Sequence, residues 1–334
     1  MSVTSVGVTL SQNDKYSVYE QKLWDDVHKQ INLKFPTAEN LLINMTWFGH
    51  QFEDSEWYTV LEFKNENRRF DNVFFLATVD PPYLNVNELQ EVKNMVGALH
   101  VYYLGNFDSP HQFNFFAPLL SNNFKAYTGN DLLLVDINHL FVNYNRKPKP
   151  HRLALVQRFL SEKLNQCGIV TIGTDETSDL YLNFKGNSED KDHDIGNYGM
   201  PMVYYDLGPL EVWKHTFLYV NAATEFNPIN DLFCQQDVFK PLIGMRPFVI
   251  NGVQKTYRWL RYNGFKTFNQ YWEHIDIEDG DVHDTIIELI EFLGRMDKIE
   301  IMNMYNDMLP DLRYNQLRFY EFAKEQKIKM ENLF

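Results

Sequence analysis

With 334 residues, 44% apolar and 15% aromatic, the chain is long enough to bury two α/β cores. Its formal charge of −14 argues against a protein whose main task is to grip nucleic acid non-specifically, because neutralising phosphates requires clustered Lys and Arg. No run of about 18 uncharged apolar residues occurs, and the polar start MSVTSVGVTLSQNDKY is neither basic nor apolar, so a soluble cytoplasmic protein without membrane contact is expected.

In chain order, Tyr19, Leu23, Trp24, Val27 and Ile31 recur at helical spacing, which predicts a packing helix over Tyr16 to Leu33. Leu41 to Trp47 reads as the first strand, and the loop FGHQFEDSEWY after it carries His50. Asn72 to Val79 is a second strand, ending at Asp80. A helix over Asn87 to Gly97 and a strand over Leu99 to Leu104 complete a parallel crossover unit, and Asp108 follows. Asp80 and Asp108 thus fall just past strand carboxyl ends, where a ligand-facing acid sits; both also suit ordinary turns. Arg68, Arg69, Lys64 and Lys93 are candidates for a positive stripe on this half.

Asp131 to Tyr144 is another apolar run, after which NRKPKPHR breaks the pattern with two prolines and sets the expected domain boundary. Five basic residues, His151 included, fall within residues 145–152. They lead into a helix over His151 to Asn165 whose amino-terminal turn attracts anions by dipole and charge, so a diphosphate is the natural ligand; a solvated basic linker is the bland alternative. Ile169 to Gly173 reads as the next strand. Residues 175–199 read as a polar surface loop whose acids are not arranged like a metal site, Asp192, His193 and Asp194 alone being a weak signal. Cys167 and Cys234 lack disulfide or metal spacing and read as buried reduced thiols.

The stretch from Phe217 to Phe268 is the densest in signals. A strand over Phe217 to Ala222 leads to Glu225, and a short helix spans Gln235 to Leu242. Arg246 to Ile250 reads as a buried parallel strand, Gly252 as a turn for close backbone approach, and Gln254 to Tyr262 as a helix closed by Gly264. A short strand is expected over Phe265 to Phe268. Helix, strand, glycine turn, helix is a nucleotide-binding arrangement with its ligand at the strand's carboxyl end. Two further helices are expected, over Asp284 to Met296 and Asp311 to about Gln326.

Three stretches, YYLGNFDSPHQFNFF from Tyr102, FVNYNRKPKPHRLALVQRFL from Phe141, and FLYVNAATEFNP with FKPLIGMRPFVINGV and LRYNGFKTF from Phe217, carry a resemblance. They resemble the nucleotide-sugar glycosyltransferases of tailed phages and other viruses, whose carboxyl half is similar to that of the α-1,3-fucosyltransferases. The resemblance implies an α/β GT-B-like fold of two facing Rossmann-like domains with an inter-domain cleft. The expected division is an acceptor domain over 1–144, a nucleotide-sugar domain over 145–310 and a carboxyl-terminal helix over 311–334. It further implies that Arg146, Lys147 and Arg152 hold the donor diphosphate, and that Asn221 and Glu225 contact the nucleoside or sugar. The chain departs from fucosyltransferase-like members at Gln236 and Asp237, which stand where a Glu-Lys pair is found; Lys240, one helical turn on, is the substitute cation.

Transfer of a sugar from such a donor, a UDP- or GDP-sugar, needs a diphosphate clamp and a base for the acceptor hydroxyl. Arg146, Lys147, Arg152 and Lys240 make a clamp without a metal; Asp108 is the first choice of base, with Asp80 and His50 behind it. Inverting transfer follows if the base acts opposite the leaving group. The expected acceptor is hydroxymethylcytosine in phage DNA, in the host cytoplasm, and a glycan is the competing one. A nucleotide-sugar fold serving as a non-catalytic binding module is the alternative of a different class, and an NAD enzyme is disfavoured because no G-x-G-x-x-G follows a predicted strand.

Overall fold

The computed structural model describes residues 6–9, 18–45, 62, 64–77, 93–98, 100–105, 114, 116–123, 129–145, 148–172, 207, 210–223, 236–252, 255–275, 277 and 281–332. The chain divides into two compact units, Met1–Leu119 with Ala323–Phe334, and Leu120–Phe322.

The first unit contains four parallel strands in the order β1 (Val6–Thr9), β2 (Asn40–Met45), β3 (Asn72–Ala77) and β4 (His100–Gly105). Adjacent residues of the inner strands, Leu41 and Leu42 in β2, Val73 and Phe74 in β3, are all buried. Burial on both faces is what a parallel sheet requires, and it explains why these strands read as continuous apolar runs. Helix α1 (Val18–Lys34) buries Val27 and Ile31, one turn apart. Register is pinned at the strand starts, where Asn72 Nδ2 donates to Asn40 Oδ1 at 2.8 Å and Glu39 N donates to Asp71 Oδ2 at 2.8 Å. Arg68, expected in a positive stripe, is committed in part: its Nε lies 2.9 Å from Glu39 Oε1. Helix α2 spans Phe116–Asn123.

The second unit holds β5 (His139–Asn145), helix α3 (Pro150–Ser161), β6 (Gly168–Ile172), α4 (Leu210–His215), β7 (Thr216–Ala222), α5 (Gln236–Ile243), β8 (Phe248–Asn251), α6 (Lys255–Tyr262), α7 (Val282–Gly294) and, as far as Phe322, α8 (Lys298–Glu331). Its sheet is parallel throughout, in the order β6-β5-β7-β8. Every residue of β7 is buried, and full burial of such side chains contributes roughly 1.5–3 kcal/mol each. Successive side chains point to opposite faces. Phe141 of β5 meets Phe159 of α3 at 5.0 Å on one face, while Tyr219 of β7 stacks on Trp213 of α4 at 5.2 Å on the other. Helices therefore cover both faces. The chain winds from β5 to β6 on one side, then returns to place β7 and β8 on the other side of β5.

A buried arginine closes the opposite end of this sheet. Arg246 donates to the carbonyls of Thr216 (2.7 Å), Leu132 (2.8 Å), Met245 (2.8 Å) and Trp213, and to Tyr305 Oη (3.2 Å). It is 1% exposed, and burial lowers its pKa to about 10, so it stays a cation at neutral pH.

Strand β5 pairs with β6 and β7, and in sequence the compact units meet at Leu119/Leu120. Three expectations need correction. Arg246 precedes its strand and is a hydrogen-bonding hub. Phe265 to Phe268 is not a strand: Asn315 receives Lys266 N on Oδ1 (2.7 Å) and donates to Lys266 O (2.9 Å), a side chain taking the place of a neighbouring strand. The last helix starts at Lys298, thirteen residues earlier than expected, and runs through Pro310. No helix among the described residues is long and apolar enough to cross a membrane.

Candidate functional site

The winding reversal lies between β5 and β7, so their carboxyl ends, at Asn145 and Ala222, flank a switch point of the kind where open α/β sheets bind ligands. Four buried asparagines collect at this edge: Asn143 and Asn145 on β5, Asn221 on β7 and Asn251 on β8. Asparagine is a poor strand former, and its placement at three adjacent strand ends sets polar groups inside an apolar sheet.

Two of these side chains are tied to backbone. Asn143 Nδ2 donates to Val220 O at 2.9 Å, and Asn145 Nδ2 to Thr171 O at 3.0 Å, which brace β5 against both neighbours. Asn221 differs. It is fully buried, and neither its Oδ1 nor its Nδ2 finds a hydrogen-bond partner among the described residues. The Nδ2 of Asn251 is unpartnered in the same way. A buried amide left unsatisfied costs about 1–3 kcal/mol.

The amino-terminal turn of α3 reaches the same edge. No side chain caps it; Lys149 stands at the cap position in extended conformation, and Pro150 supplies a preset φ in the first turn. His151 Nε2 lies 2.9 Å from Ala223 O, and Arg152 donates to Ala222 O (2.8 Å) and Ala223 O (3.2 Å). A carbonyl oxygen only accepts, so the proton of the neutral ring sits on Nε2. Burial, with Arg152, Lys149 and His283 adding to it, holds the His151 pKa down at about 4. His151, counted by the sequence reading among five basic residues, is therefore uncharged at neutral pH.

Helix α7 contributes from its own amino terminus. Asp281 caps it by accepting from the N–H groups of His283 (3.0 Å) and Asp284 (3.1 Å). This aims His283 at the sheet edge, where its Nε2 lies 3.1 Å from Asn251 Oδ1. Burial lowers the His283 pKa, and the ring also hydrogen-bonds with the His151 backbone. Arg158 of α3 pairs with Asp284 of α7, holding the two helices side by side.

Of the residues expected to bind the donor, Arg152 and Asn221 lie at this edge. The guanidinium of Arg152 is partly used in fixing the end of β7. Lys240 is 7% exposed on α5, with its Nζ 3.4 Å from Asp237 Oδ1, so it serves a carboxylate of its own helix. Arg146, Lys147 and Glu225 lie outside the described residues, as do Asp108, Asp80 and His50. His283 and Asn251 were not anticipated. Asp281 ahead of an apolar-periodic run signals the helix start, but the separation of 32 positions between Asn251 and His283 hides their contact. The described residues include no group of three or more His, Cys, Asp or Glu able to hold a metal ion. Cys167 is a half-buried free thiol.

No protein-family model, curated protein or solved structure matches the chain.

Proposed function

We propose that the chain is a nucleotide-sugar-dependent glycosyltransferase whose donor site lies at the carboxyl ends of β5, β7 and β8. The observation that carries this reading is Asn221, a buried amide whose donor and acceptor find no partner among the described residues, beside the winding reversal of a parallel sheet. A nucleoside or sugar offers hydroxyls and ring edges that satisfy both halves of an amide at once. The Nδ2 of Asn251, in register with Ala222 and so on the opposite face from Asn221, adds a donor on the other side of the same sheet edge. The first turn of α3, which has no side-chain cap, offers a positive dipole end for a diphosphate, assisted by Arg152 and, in the proposal, Arg146 and Lys147.

In this reading the leaving diphosphate is stabilised by cations and a helix terminus, and transfer is metal-independent and inverting. Asp108 is the proposed base, with Asp80 and His50 as the other candidates. The GT-B arrangement of two facing Rossmann-like domains belongs to the same proposal, supported by a four-stranded parallel sheet in each unit. The proposed acceptor is hydroxymethylcytosine in phage DNA, with a glycan as the competing substrate.

One observation favours a second reading. Arg152 already serves two backbone carbonyls and Lys240 an aspartate, which leaves less cationic charge for a leaving group. A non-catalytic nucleotide-sugar-binding module needs no such clamp. Release of nucleoside diphosphate from UDP- or GDP-sugars, with hydroxymethylated DNA or oligosaccharide present, separates the two: turnover supports the transferase, and binding without turnover supports the module.

A further inference from the structure

The chain carries 45 acidic residues, yet none lies between Asp237 and Glu273. Within that gap α6 turns one face to solvent. Lys255, Arg258, Arg261 and Tyr262 are exposed at helical spacing, while Thr256, Tyr257 and Leu260 are buried on the other side. Lys266 follows in the next turn, also exposed.

Helix α8 packs beside this segment and extends its surface. Arg318 Nε donates to Asn263 O at 2.8 Å, and Lys266 Nζ lies 5.5 Å from the centre of the Tyr314 ring. Tyr262 is 89% exposed, Leu317 66% and Tyr314 44%, an unusual cost for side chains of this size in water. Lys255, Arg258, Lys266 and Arg313 make no ion pair with any described carboxylate. Acids that border the surface among the described residues include Glu321, 3.8 Å from Arg318, and Asp311, which accepts from Gln270.

We infer that the exposed face of α6, with Lys266 and the Tyr314–Arg318 turn of α8, is a docking surface for single-stranded nucleic acid. Charge complementarity requires a polyanion, and the protein's net charge does not oppose it: charges beyond about 8–10 Å are screened at physiological salt, so a local cluster acts on its own. The aromatic component selects among polyanions. Single strands are held by cations that track phosphates and by exposed rings on which unpaired bases stack, and Tyr262 and Tyr314 beside Lys and Arg supply both. A duplex hides its base faces and gains nothing from the tyrosines. The surface uses none of the residues assigned to the donor site and does not rest on that reading.

The test is fluorescence anisotropy of a labelled oligo(dT) of about 20 nucleotides, titrated with the full chain at about 50 mM salt and upward. A matching duplex, phosphatidylserine vesicles and a saturating nucleotide sugar are the comparison arms. The single strand is expected to bind, with log Kd rising by roughly 2–3 per decade of salt, as three or four phosphate contacts dictate. Lys255→Glu with Arg258→Glu is expected to weaken binding by more than about tenfold and flatten that slope. Tyr262→Ala is expected to weaken it by about fivefold or more with the slope unchanged. These side chains are exposed, so melting stays at the wild-type temperature; should the charge reversals fail to fold, Lys255→Gln with Arg258→Gln carries the same test. No binding of the single strand, wild-type affinity in the variants, displacement by the nucleotide sugar, or equal affinity for duplex with Tyr262→Ala silent would overturn the inference. Binding to vesicles but not to the oligonucleotide would also overturn it. Failure here leaves the donor site untouched, since that is read with a different ligand.

Discussion

His283 Nε2 lies 3.1 Å from Asn251 Oδ1, which joins the first turn of α7 to the last residue of β8 across 32 positions of sequence. The contact brings a second helix amino terminus to the sheet edge already occupied by α3. The same edge contains Asn221, whose amide is buried and unpartnered among the described residues.

Replacing Asn221 with Leu removes that unmet polarity at nearly constant volume. Because exchanging a buried unsatisfied group for an apolar one is neutral to favourable, the variant is expected to match or exceed wild-type stability by up to about 2 kcal/mol. Chemical denaturation measures this, and a loss of more than about 1 kcal/mol would mean that Asn221 has a structural partner.

His151 makes stability depend on pH in a definite direction. Its folded pKa, about 4, lies below the unfolded value of 6.5, so the unfolded chain binds more protons between the two. Stability is therefore fully present above about pH 6.5 and falls as pH drops towards 4, by at most about 3 kcal/mol from this group. The denaturation midpoint of wild type should fall relative to that of His151→Gln as pH drops through this range, and parallel curves would contradict the assignment.

Arg246 is expected to be among the least replaceable residues of the second unit. Arg246→Ala leaves the carbonyls of Thr216, Leu132, Met245 and Trp213 without their donor in a buried site. A loss of about 3–5 kcal/mol follows. Arg246→Lys should recover little, since one ammonium cannot reach carbonyls spread around a planar guanidinium. Urea unfolding of both variants tests this.

The parallel strands were legible because burial on both faces writes a continuous apolar run: β2, β3, β4, β6, β7 and β8 each start within two residues of their expected starts, whereas β5 begins at His139, eight residues into the run expected from Asp131. Gly264 was legible too, with φ of +83° in the left-handed region that ends α6. Misreadings arose where a tertiary partner decides. Phe265 and Phe268 look like strand residues, but Phe265 packs on Phe239 and Phe322, and Asn315 holds the backbone between them. Pro310 reads as a break, yet α8 continues through it. At the sheet edge, Asn221 and Arg152 are residues that the sequence reading had singled out. Asn251 and His283 were not, because their contact is made only when α7 folds back over β8. The basic face of α6 was overlooked because net charge averages it away.

The most direct test of the donor-site account is a thermal-shift screen against UDP-, GDP- and CMP-sugars, with and without magnesium or manganese, using wild type and Asn221→Leu. A ligand that binds only the folded state at a hundredfold its Kd adds about 2.7 kcal/mol of apparent stability, a rise of a few degrees. The account predicts that rise with one nucleotide class in the wild type and its loss in Asn221→Leu. No shift with any of these donors, or an equal shift in both proteins, would contradict it.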